Sequence, residues 1–463
     1  MLSRFFKLAE HKTTVGRELA AGLTTFTAMA YILAVNPAIL MNGFGADPSI
    51  GSDPTSASFI AVKGALLVAT AVSAALATFL MALLTNYPLA LAPGMGINAF
   101  FAFSICLGAG VPWQQALGMV FVNGVLFLLL SLTGVREKLI QAIPYSLKIA
   151  ITVGIGVFIA FIGLESAGII TAHPETLVTP GNFASPPVAL ALAGVILTAV
   201  LAVRKIPGAI LISLLLVTFA GLFVPNGHGG KVTSLPAQLF STPPSMAPVF
   251  FRLDLSFLGD VSALLKVLPL ILSLLLVDMF DNIGSLIGVT KRAGLLDKQG
   301  HLPKAGRALL ADSLAAILSS LCGTSTVVSY VESSSGVEAG GRTGLTAITV
   351  GVLMLLSLFL APLFLAIPAA ATAPILILVG VFMLQSVAEI DFGDLHVAIP
   401  AALVIIGIPL TFSIAEGIGF GLITAALLAL LAGKPRGLPV LGYVIAAVFF
   451  LSFFKLPPFH VAH

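Results

Sequence analysis

Apolar positions along this chain run in blocks and do not alternate with polar ones. The blocks lie roughly at 18–40, 60–84, 91–107, 112–133, 144–170, 187–203, 207–224, 262–290, 308–321, 325–337, 344–366, 373–388, 397–412 and 415–433, with a further one at 438–456. A helix needs about 20 mainly apolar residues to cross a bilayer, and in lipid it satisfies its own backbone groups. Each of the first fourteen blocks is therefore predicted to be a membrane crossing. A polar, Pro/Gly-rich stretch at 225–260 separates seven blocks from seven. An odd number of crossings per half turns the second half upside down, a plan common among transporters. The predicted fold class is an all-α polytopic membrane protein with 14 transmembrane segments as two inverted 7-segment repeats.

Composition narrows the class. Of 463 residues, 58% are hydrophobic and 9% charged, against about 25% charged in a soluble protein. A soluble domain is excluded, and the lipid bilayer is the first partner. Basic residues cluster before the first segment (Arg4, Lys7, Lys12, Arg17), after the fourth (Arg136, Lys138) and between the sixth and seventh (Arg204, Lys205). They recur after the eighth (Lys291, Arg292, Lys298, Lys304, Arg307), before the eleventh (Arg342) and after the fourteenth (Lys434, Arg436). Loops 41–59 and 171–186 have none. All clusters fall on the side of the N-terminus, so the positive-inside rule places it in the cytoplasm. The first residues lack a secretory cleavage pattern and read as an amphipathic lead-in, so a multi-pass protein of the cell membrane is expected. No run of five basic residues supports nucleic-acid binding. Cys106 and Cys322 read as small core residues. His11, His173, His228, His301, His396, His460 and His463 fall in tails, loops or span edges, so no metal site is expected.

Two blocks are broken at matching places. The third contains "ALAPGMGINAFFAF" and the tenth "CGTSTVVSYVESSSGVEAGGRTG". Both are too short, or too rich in Pro, Gly, Ser and Thr, for a plain spanning helix. Discontinuous segments at corresponding positions of two halves point to a transporter binding site. Their freed backbone groups suit a flat polar ligand; loops or hairpins with a packing role are the alternative.

The stretch "LLLVDMFDNIGSLIGV" carries Asp278 and Asp281 inside an apolar run. At i, i+3 they share a helix face, which Ser285 continues with Asn282 at its edge. Acids at this depth are costly and face protein or water. Asp281 is the candidate for substrate or proton contact. Asp278 is a candidate for the same roles; for either of the two, the alternative is a structural one, bonding backbone N–H groups of a broken helix. Glu332, in the tenth segment beside Tyr330, is balanced between burial, which favours its protonated form, and a helix start, which favours the ionised form. That balance suits proton coupling; capping is the alternative. Asn98 both donates and accepts, as recognition of a base edge requires. Among Phe100, Phe101 and Phe103, Phe101 is the candidate for ring stacking, with core packing the alternative. The hydroxyls of Thr324, Ser325 and Thr326 complete the substrate-binding candidates. Glu165, Asp312 and Glu416 read as structural or interfacial, Lys63 and Lys148 as snorkelling to an interface, and Trp113 as interfacial.

These motifs carry a resemblance. "TTFTAMAYILAVNPAIL", "LAPGMGINAFFAF", "DMFDNIGSLIGV" and "GTSTVVSYVESSSGVEAGGRTGLTAITVG" resemble the AzgA-like purine (adenine/guanine/hypoxanthine) permeases of the nucleobase–cation symporter-2 family, along nearly the whole chain. The resemblance implies a fourteen-helix inverted-repeat fold, with short antiparallel strands where the third and tenth segments meet. It implies a core domain from 1–135 and 261–368, a gate domain from 136–225 and 369–434, and an extracytoplasmic linker at 226–260. The stretch 435–463 is then an added interfacial or peripheral segment. It assigns Asp281 (acid-x-Ile-Gly) and Glu332 (Tyr-x-Glu) to substrate and proton, and adds Asp278 and Asn98. Ser285 stands where some uracil permeases have histidine.

The resulting expectation is proton symport of a purine nucleobase by alternating access, with Glu332, Asp281 and Asp278 in proton coupling and no cofactor beyond the proton. A homodimer through the gate domain is a further partner expectation. The alternatives are an anion or other small-solute transporter on the same fold, a passive channel, and an intramembrane aspartyl protease. Three intramembrane acids disfavour an anion site, and the protease would need its aspartates on two helices.

Overall fold

Polar caps set where the long apolar helices begin. The computed structural model describes residues 2–133, 143–206, 208–227, 229–295, 302–432 and 438–454. Arg136, Lys138, Lys298, Lys434, Arg436, His228, His301, His460 and His463 lie outside the described residues, as do the last two positions of the block at 438–456. Among the described residues, ten helices are long and apolar enough to cross a membrane, and four shorter apolar helices accompany them.

The first half runs α1 (Val15–Met29), α2 (Ile32–Phe44), α3 (Ala57–Thr85), β1 (Leu91–Pro93) and α4 (Met95–Ala99). A π-helical stretch, Phe100–Gly108, prolongs α4. Then come α5 (Trp113–Thr133), α6 (Tyr145–Ser166), β2 (Ile170–His173), β3 (Leu177–Pro180), α7 (Pro186–Val203) and α8 (Ala209–Gly221). The second half runs α9 (Val261–Arg292), α10 (Ala305–Cys322), β4 (Val327–Ser329), α11 (Ser333–Glu338) and α12 (Gly344–Leu356). It ends with α13 (Ala369–Leu384), α14 (Leu395–Thr411), α15 (Ile414–Leu431) and α16 (Val440–Phe453).

Side-chain oxygens take orphan N–H groups at several starts, the role that makes Ser, Thr and Asp favoured caps. Ser56 accepts from the Phe59 N–H at 3.2 Å, Asp260 from Ser262 at 3.0 Å and Thr343 from Leu345 at 3.3 Å. The first block is not one helix: it breaks at Ala30–Tyr31 between α1 and α2. The loop read between the fifth and sixth segments is the antiparallel hairpin β2–β3.

The two broken segments meet. β1 pairs antiparallel with β4, Leu91 opposite Ser329, Ala92 opposite Val328 and Pro93 opposite Val327. Around this crossing α1, α3, α5, α10 and α12 pack mainly on one another, while α6, α7, α8, α13, α14 and α15 form a second group. α9 touches both groups. Small residues allow close approach in the second group: a Cβ on Gly156 of α6 would lie 2.6 Å from Met383 Cβ and 2.8 Å from the Gly380 carbonyl of α13. The terminal α16 packs on α15, with the Phe420 and Phe453 rings 5.3 Å apart.

Candidate functional site

Backbone exposed at membrane depth has no water to bond, so side chains close the strand crossing. The Thr78 hydroxyl of α3 accepts from the Leu91 N–H at 2.9 Å and lies 3.1 Å from its carbonyl. Ser333 accepts from the Ala90 N–H, and Asn282 of α9 from the Ser329 N–H, both at 3.0 Å. The Gly94 and Tyr330 N–H groups reach the carbonyls of Thr326 and Ala90, each at 3.0 Å.

One cluster forms where β4 gives way to α11. Glu332 accepts a 2.8 Å hydrogen bond from the Tyr31 hydroxyl, which the break between α1 and α2 places there. Tyr330, beside it, donates to the Pro93 carbonyl at 2.7 Å. Asp281 of α9 lies close enough for its charge to interact with Glu332 and Tyr330. The two phenols are buried, Asp281 and Glu332 are largely buried with a minor exposed part, and Val331 is 54% exposed. Two carboxylates and two phenols thus gather in one polar cluster: acceptors for N–H groups, with an apolar side chain beside them.

Asp278 has a different environment, although it is one turn away. Its oxygens accept from Asn123 Nδ2 of α5 at 2.8 Å and from Asn282 Nδ2 at 2.9 Å. Asn282 in turn holds the Ser329 N–H, and the Ser329 hydroxyl donates to Asp312 of α10 at 3.3 Å. All five residues are buried. This chain of bonds ties α5, α9, β4 and α10 together. Asp312, read as lying near a span end, is therefore a buried member of the strand's support.

A second cluster surrounds the start of the tenth segment. The Ser325 hydroxyl donates to Asn98 Oδ1 of α4. Asn98 Nδ2 and the Thr326 hydroxyl are buried with no protein partner among the described residues, so a donor and a hydroxyl stand ready for a ligand or water. Thr324 is engaged by Asn36 Nδ2 of α2 at 3.0 Å, and Asn36 also reaches Thr70 of α3 at 2.7 Å. Ser285 is buried one turn beyond Asp281. Phe101 is packed in the core, its ring 6.0 Å from Phe44, which stacks at 4.4 Å on Trp113. Trp113, at the start of α5, is 7% exposed and donates to Asp47 at 3.0 Å.

Sequence reasoning passed over Tyr31, Asn36 and Asn123. For the asparagines the signal was there: each is a lone amide in an apolar run, "AVNPAI" and "FVNGV". Among the described residues, no group of three His, Cys, Asp or Glu side chains is arranged to hold a metal ion.

The chain matches the model of the Permease family (Xan_ur_permease) over residues 16–420. It belongs to this family. The permease is 44% identical over 455 residues to the guanine/hypoxanthine permease PbuG of Bacillus subtilis, covering 98% of this chain and 100% of that one. It is 42% identical over 452 residues to the adenine permease AdeP of Escherichia coli, covering 98% and 96%. The resemblance carried by the motifs holds. The transmembrane domain of a cyanobacterium bicarbonate transporter, BicA, superposes on this permease with a TM-score of 0.57 at 18% identity, over 88% of this chain and 96% of that one. That likeness concerns the fold alone.

Proposed function

We propose that this permease imports purine nucleobases (hypoxanthine, guanine or adenine) by proton symport with alternating access. The observation that carries the reading is the pair of neighbouring, largely buried carboxylates, Asp281 and Glu332, gathered beside the β1–β4 crossing. Purine bases present ring and exocyclic N–H groups, and a carboxylate accepts two at once. Two carboxylates close together repel, and protonating one offsets that repulsion. Uptake of proton and base would thus favour one another. Relatives aligned over nearly the full chain are named for guanine, hypoxanthine and adenine.

In this reading the chain crosses the cell membrane fourteen times as two inverted halves, N-terminus in the cytoplasm. The packing group of α1, α3, α5, α10 and α12 is the core, and the group of α6–α8 and α13–α15 is the gate that moves against it. The gate also supplies the surface for a homodimer. Asn98 and Thr326, with buried polar atoms unpartnered among the described residues, offer further contacts to the base. Asp278 supports the strand that carries the site.

Purified protein in liposomes with an imposed proton gradient provides the test. Labelled hypoxanthine should accumulate, adenine or guanine should compete, uracil and sulfate should not, and a protonophore should abolish accumulation. Uptake of no purine, or accumulation indifferent to the protonophore, would sink the proposal.

A further inference from the structure

A lysine near a helix end in a membrane protein is expected to reach back to the interface. Lys148, one turn into α6, has its ammonium nitrogen 5.7 Å from the centroid of the Phe280 ring on α9. Phe280 immediately precedes Asp281. The contact joins α6, in one packing group, to α9, which touches both. Meanwhile the ion pairs among the described residues, Lys7–Glu10 and Arg292–Glu338, involve exposed side chains. Neither Asp281 nor Glu332 is in one.

We propose that Lys148 is the counter-charge of the empty transport site. This rests on the proton-symport reading. After proton and base leave, a symporter must return with its carboxylates bare, and moving uncompensated charge through the membrane interior is costly. A cation over a phenylalanine face is held weakly. Its four-carbon stem is flexible, so the ammonium can leave the ring for the neighbouring carboxylate as α6 closes on α9. With proton and base bound, Asp281 no longer attracts it, and the ammonium returns to Phe280. Lys148 is thereby a positioning residue for the return step and not a contact to the base.

Two modes of transport separate this role from a structural one. Exchange of labelled against unlabelled hypoxanthine needs only the loaded carrier to shuttle, whereas net uptake needs the empty carrier to return. In liposomes, Lys148→Gln should keep exchange within about twofold of the unmodified protein while net uptake falls about tenfold or more. Lys148→Arg should retain both, and Lys148→Met, carried alongside as a second neutral replacement, should behave like Lys148→Gln. Equal loss of exchange and net uptake in both neutral variants, or loss of neither, overturns the proposal. Absence of flux of hypoxanthine, guanine and adenine alike, in either mode with the unmodified protein, overturns the purine reading beneath it.

Discussion

The hydroxyl of Tyr31 is bonded to the carboxylate of Glu332 across 301 positions of the chain. It joins a break in the first membrane segment to the start of a short helix in the tenth. Hydrogen bonds to charged groups are worth about 1.5–3 kcal/mol, so Tyr31→Phe should lower kcat/KM for purine uptake about tenfold or more at unchanged protein level. Initial rates against purine concentration check this, and unaltered kinetics would detach Tyr31 from the transport site.

The two aspartates of α9 should respond differently to amide substitution. In Asp278→Asn, one acceptor becomes a donor facing the amides of Asn123 and Asn282. Disrupting a buried network of this kind costs about 3 kcal/mol, seen as a lowered melting temperature in detergent. Asp281→Asn should melt like the unmodified protein yet fail to accumulate purine. If both variants melt alike, the separation of roles is wrong.

Gly336 of α11 lies against α1, where a Cβ would come within 2.0 Å of Thr25 Oγ1 and 2.7 Å of the Ala21 carbonyl. Gly336→Ala should therefore destabilise by about 1–3 kcal/mol, the usual cost of overpacking. Adding Thr25→Ala removes the nearer obstacle and should restore part of the melting temperature. A double variant no better than the single one would contradict this packing account.

Outside the membrane segments, Asp47 accepts from Ser49 and from the ring N–H of Trp113, the protein's single tryptophan. The Ser49 bonds, with a smaller share from Trp113, hold its carboxyl below the ordinary carboxylate range. A depressed carboxylate contributes stability above its unfolded pKa and loses it as pH falls through the folded value. Trp113 emission should therefore be steady near neutrality and change on acidification below the ordinary carboxylate range. Asp47→Asn should abolish that acid transition, and its persistence in the variant would rule out Asp47 as the source.

Much of this architecture was legible because lipid leaves the backbone few options. Long apolar blocks became helices, and the Pro/Gly and Ser/Thr interruptions at "ALAPGMG" and "GTSTVVS" became the paired strands. The side-chain supports were harder to read. Asn36 and Thr324 are 288 positions apart and Asn123 and Asp278 155 apart, so no local spacing links them. Asp281 and Asp278 share a periodic face, yet their partners come from different helices, and periodicity says nothing about which partner arrives. Phe101 was ambiguous for a similar reason: an aromatic ring in an apolar run looks the same whether it packs or waits for a ligand.

The strand pairing also constrains how the protein is made. Leu91 of the first strand is paired with Ser329 of the second, more than two hundred positions later. At ribosomal rates of about 5–20 residues per second, the first strand is synthesised roughly ten to fifty seconds before its mate. Throughout that interval its N–H and C=O groups have no strand to bond and cannot be left bare in hydrocarbon. The third segment must therefore stay with the insertion machinery or at the wet interface until the tenth arrives.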